Sequence, residues 1–214
     1  MSVTKILVAS AAAASAAAGV IHFAAAAEHA PVYPEATAFF VGIGVFQVVW
    51  AAMILGRPSR ILYAGGVAAS LTTIALWAVS RTTGLPFGPE AFIREAVGRA
   101  DVISTLLEEG LVLLVVPLAL GAGDAIAVDG PAYRGALASV LVLVGALAAW
   151  ALTGLHEGHG LAAGAAHANV VLHLGHHGLH LLFAGGAVSV FGFYLVARVR
   201  RGGWPAFSWR LSAG

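Results

Sequence analysis

Residues 36–55 read ATAFFVGIGVFQVVWAAMIL, without a single charge. A helix rises 1.5 Å per residue, so about 20 apolar residues cross the roughly 30 Å hydrocarbon layer of a bilayer. A run of that length in a soluble protein would leave an apolar surface with nothing to cover it. Working outward, five more runs have the same character: 6–27, 61–80, 102–122, 135–155 and 170–197. Helix breakers or charges bound them. Pro31 and Pro34 follow the first, Arg57-Pro58 the second, Gly84-Leu85-Pro86 the third, Gly130-Pro131 precedes the fifth, and a Gly/His-rich stretch from Gly154 to Gly164 follows it.

Composition agrees. Of 214 residues, 60% are hydrophobic and 10% charged, against about 25% charged in an average soluble domain. Too few charges remain to clothe a soluble, disordered or nucleic-acid-binding protein. The expectation is an all-α polytopic transmembrane bundle of six helices forming a single domain over 1–214, with the lipid bilayer as its first partner. Other membrane subunits or a homo-oligomer are compatible with it. Alanine and glycine inside the runs suit close helix packing in lipid.

With six spans both termini share a side. That side carries Lys5, Arg57, Arg60, Arg134, Arg198, Arg200, Arg201 and Arg210; the other carries Arg81, Arg94 and Arg99. The positive-inside rule then places the termini in the cytoplasm and the protein in the cytoplasmic membrane. Lys5 and Ala25-Ala26-Ala27 resemble a secretory leader, but the length of the first run and His22 within it favour a retained helix.

All nine histidines fall on the side opposite the termini. His22 and His29 lie at the outer end of the first helix, His156, His159 and His167 in the last connection, and His173, His176, His177 and His180 in the outer third of the sixth helix. At 100° per residue the last four share a sector of about 100°, with His173/His177 and His176/His180 spaced i,i+4. Asp101, Glu108 and Glu109 lie in the outer half of the fourth run, where ionisable groups normally face the bundle interior and pair. Arg81, Arg94 and Arg99 lie on the same side and could neutralise them. Gln47, Trp50 and Trp77 are read as packing or interface residues.

Segments around Ile21-His22-Phe23, Glu28-His29, Phe46 to Ala51, Leu76-Trp77, Ser80-Arg81 and Gly84 to Pro89, with Asp101 and Glu108, resemble uncharacterised multi-pass membrane proteins of actinobacteria. The resemblance covers about half the chain. It implies an integral membrane protein in which His22 and His29 work with the acids of the fourth helix, and it carries no activity.

Imidazole with carboxylate suits copper(II) or zinc, and the chain has no cysteine to offer a thiolate. The leading expectation is a transition-metal site near the extracytoplasmic face, for metal handling or as part of a membrane redox complex. His22, Glu108, His173, His177 and His180 would converge on one ion, with Glu109, Asp101, His176 and His29 around it or at a second site. A second reading is a b-type haem electron-transfer protein with His22 as an axial ligand. A third is a non-catalytic accessory subunit whose histidines titrate with the outer pH. No soluble catalytic motif is present: His156-Glu157-Gly158-His159 is one residue short of His-Glu-x-x-His.

Overall fold

The structure, a computed structural model, describes residues 2–31, 33–89, 91–120 and 127–153. They form five α-helices and no strand: α1 Val3–His29, α2 Pro34–Gly56, α3 Arg60–Thr82, α4 Arg99–Ala119 and α5 Gly130–Leu152. Each is long and apolar enough to cross a membrane, consistent with a multi-pass membrane protein. The expected sixth helix at 170–197 lies outside the described residues.

Helix ends follow from local chemistry. Pro34 opens α2, where its missing N–H costs nothing. Ser59 caps α3 by accepting from Leu62 N, and Asp129 caps α5 by accepting from Ala132 N at 2.7 Å. α4 begins at Arg99, earlier than its apolar run, because Asp101 Oδ2 turns back to accept from Gly98 N at 2.9 Å. It ends at Ala119 rather than at 122, just beyond Pro117, whose ring cannot donate to the preceding turn.

α1 and α4 form the centre. In each, 61% of the most apolar stretch is buried, against 28%, 22% and 17% for α2, α3 and α5. α1 can be central because it is lined with small residues: Ala11, Ala12, Ala14, Ala18 and Gly19 are all buried. Where α1 crosses α2, a Cβ on Gly19 would meet Gly44 O at 3.0 Å, so the backbones approach closely, and Ser15 Oγ donates to Gln47 O at 2.9 Å. Toward the end that holds the chain's start, Leu7, Trp50, Ile54, Tyr63, Leu111 and Val115 pack into one apolar cluster. A second joins Ala18, Ile21, Ile103, Leu107, Val144 and Leu147 of α1, α4 and α5. The outward faces remain apolar, with Val45, Val49, Met53 and Val142 at least 49% exposed, which water would penalise and lipid tails would not.

Candidate functional site

Four polar side chains from four helices meet within the bundle. His22 (α1), Gln47 (α2), Thr73 (α3) and Glu108 (α4) are all buried, Glu108 at 1% exposure and His22 at 4%. His22 Nε2 lies 3.2 Å from Glu108 Oε1, and Gln47 Nε2 donates to the same oxygen at 2.7 Å. The Thr73 hydroxyl donates to the Ala69 carbonyl at 3.0 Å. A buried carboxyl needs such partners, since an unmade hydrogen bond in an apolar interior costs several kcal/mol (about 2–7). Gln47 Oε1 is different: buried, it has no partner among the described residues.

His22, Thr73 and Glu108 form the floor of a cavity of about 160 Å³ that opens between α1, α2, α3 and α4 toward the α1–α2 and α3–α4 connections. Four carboxylates (Glu35, Glu95, Asp101 and Glu108) and one guanidinium (Arg81) line it. Formal charge inside therefore favours a cation. α1 persists through His29, so His22 and His29 share a face; Phe40 of α2 stacks on the first at 5.7 Å and tilts against the second at 5.0 Å. His29 Nδ1 lies 2.8 Å from Ala25 O, and since a carbonyl only accepts, Nδ1 carries a proton and donates it there.

Arg81 organises the mouth. Its guanidinium pairs with Asp101 Oδ2 at 2.7 Å and with Glu95 Oε2, and bonds Ser80 Oγ at 2.7 Å. Arg81 thus serves Glu95 and Asp101, not Glu108. At the rim the Tyr33 hydroxyl donates to Phe87 O at 3.3 Å. Burial, then the Glu35 and Glu95 carboxylates, holds its ionisation above the usual phenol range, so the donor persists at neutral pH. Arg99 lies over Trp150 at 5.3 Å and bonds Thr153, tying α4 to the end of α5.

Of the expected site residues, His22, His29, Asp101 and Glu108 line this one cavity, and His22 and Glu108 are in direct contact. Glu109 is partly buried and does not line it. His173, His176, His177 and His180, with His156, His159 and His167, lie outside the described residues. Among the described residues no three His, Asp or Glu side chains are placed to hold a metal ion. Gln47 and Thr73 beside Glu108, and Glu35 and Glu95 nearer the mouth, are polar members that the sequence reading does not assign to the site. An uncharged amide in the middle of an apolar span is itself a signal for Gln47. Glu95 sits in a connection, where no periodicity points anywhere.

Fold and site together define an α-helical bundle, apolar outside, with a polar, net-acidic cavity at one end. No family model, curated protein or solved structure matches the chain. Its function is therefore argued from the residues.

Proposed function

We propose that the protein is a multi-pass protein of the cytoplasmic membrane that binds copper or zinc at the extracytoplasmic end of its bundle, for metal handling or within a membrane redox complex. The observation that carries this reading is the buried His22–Glu108 contact at the cavity floor. Imidazole nitrogen and carboxylate oxygen are donors of the kind these ions take. The orphaned acceptor Gln47 Oε1 beside them fits a cation. Two side-chain donors do not complete a tetrahedral site. The i,i+4 histidines His173/His177 and His176/His180 would supply the rest, with His29 and Asp101 nearer the mouth and Glu109 beside Glu108. The cavity of about 160 Å³ is well below the roughly 300–1,000 Å³ of drug-sized ligand sites, which favours an ion over haem.

When bound, the metal would supply a Lewis-acid or redox centre. His22 and Glu108 would hold it at the floor, Gln47 would orient the carboxyl, and Phe40 would restrict water around the imidazole. Elemental analysis of the purified protein tests the reading. Glu108→Gln, His22→Ala and His177→Ala should each weaken copper or zinc binding by at least about 10–100-fold, as loss of even outer partners of metal ligands does. His156→Ala should leave it unchanged. Full metal content in the folded Glu108→Gln and His22→Ala variants would overturn the shared site, and a Soret band would replace it with haem.

A further inference from the structure

The connection from α3 to α4 is built inside out. Glu95 turns its carboxylate inward to Arg81, while Phe87, Phe92 and Ile93 are 56%, 69% and 58% exposed. A connection bathed in water would show the reverse pattern. The arrangement is held by the backbone. Phe92 N bonds Leu85 O at 2.8 Å and Glu95 N bonds Ser80 O at 3.0 Å. Gly84, at φ +76°, lies so close that a Cβ would meet Phe92 C at 2.5 Å. Phe92 itself sits at φ +62°, a region a bulky residue rarely enters, so its outward presentation is imposed by the loop. Beside this apolar pair Arg94 is exposed, and no carboxylate among the described residues pairs with it.

We propose that this connection is a membrane-contact element, with Phe92 and Ile93 inserted at the headgroup–acyl boundary and Arg94 on a phospholipid phosphate. The occupant is lipid for two reasons. The segment runs between the ends of two helices of spanning length, Thr82 and Arg99, which sets it at the level of the bilayer surface. An exposed guanidinium with no carboxylate partner among the described residues, flanking exposed aromatic and aliphatic side chains, matches that interface, where amphipathic segments combine apolar insertion with basic contact to lipid phosphate. The proposal rests on the reading of the chain as membrane-spanning and is independent of the metal.

A chain without cysteine allows a background-free test. The full-length Ile93→Cys variant is spin-labelled and placed in phosphatidylcholine/phosphatidylglycerol vesicles, and its depth is read from collisions with oxygen and with a water-soluble nickel chelate. The label at 93 should lie about 5–10 Å below the phosphates, and Arg94→Glu should lower the inserted fraction roughly fivefold in the anionic vesicles. Val45→Cys, at the middle of α2 and exposed, should report a depth of about 15 Å, half the hydrocarbon thickness. A label at 93 accessible to the nickel chelate overturns the proposal. So does one shielded from both reagents in vesicles and in detergent alike, which would mean cover by a second copy or another part of the chain. Failure at Val45 instead would remove the membrane-spanning reading beneath it.

Discussion

Arg81→Leu should lower the thermal midpoint of the detergent-solubilised protein by roughly 5–15 °C, from a loss of about 2–4 kcal/mol. The guanidinium is 11% exposed and holds two carboxylates, Asp101 at 30% and Glu95 at 36% exposure. Removing it leaves two partly desolvated anions facing each other across the cavity mouth. The cost falls short of the 3–5 kcal/mol typical of fully buried pairs because both acids reach solvent. Two comparisons make the result specific. Arg94→Leu, at an exposed position, should stay within about 0.5 kcal/mol of the parent. Adding Glu95→Gln and Asp101→Asn to Arg81→Leu should recover much of the loss, since the unpaired charges go with it. If Arg81→Leu melts with the parent, the ion-pair cluster does not hold the α3–α4 connection in place.

The second large effect falls at adjacent glycines. Helix propensity alone says that Gly→Ala within α3 should gain about 1 kcal/mol at either position. Gly65 meets nothing within 4 Å, so Gly65→Ala should follow that rule. At Gly66 the added Cβ would sit 2.4 Å from Trp50 Cζ2, far inside contact distance. The indole has little room to yield, being 2% exposed and donating from Nε1 to Leu62 O at 2.7 Å on the same helix. Overpacking costs about 1–3 kcal/mol and the lost indole hydrogen bond about 1 more. Gly66→Ala should therefore destabilise by about 1–3 kcal/mol net of propensity, opposite in sign to its neighbour. Thermal melts of the two variants side by side decide it; equal shifts would mean that Trp50 moves freely.

The five described helices are legible in the sequence because each apolar run approaches bilayer length and stops at Pro, Gly or Arg. Their ends are less so. Hydropathy cannot register that Asp101, a charged residue, serves the first turn of α4 as a cap, or that Pro117 closes its last turn. At the site, His22 and Glu108 declare themselves as ionisable groups inside apolar runs on helices whose ends face the same way, and the structure puts them in contact. Their meeting depends on the rotation of α1 against α4, which is set by Ala14, Ala18 and Ile21 packing on Ile103 and Leu107 and cannot be read from either helix alone. Gln47 is missed for a different reason. An amide carries no charge, so among aromatic and aliphatic neighbours it passes for a packing residue, yet its donor completes the coordination of Glu108 Oε1.

The contacts at the floor also set an order of manufacture. Gln47 and Glu108 are 61 residues apart. A ribosome adding about 5–20 residues per second makes the carboxyl roughly 3–12 s after the amide. In that interval the α1–α2 hairpin carries an imidazole and an amide toward the bilayer before their acidic partner has been synthesised. The Ser15–Gln47 bond and the Gly19–Gly44 crossing involve only these two helices and can form at once. They offer the nascent hairpin a way to turn Gln47 away from lipid while it waits. Delayed arrival of α4 would prolong this stage, when half-satisfied polar groups are most visible to the proteases and chaperones that police membrane insertion.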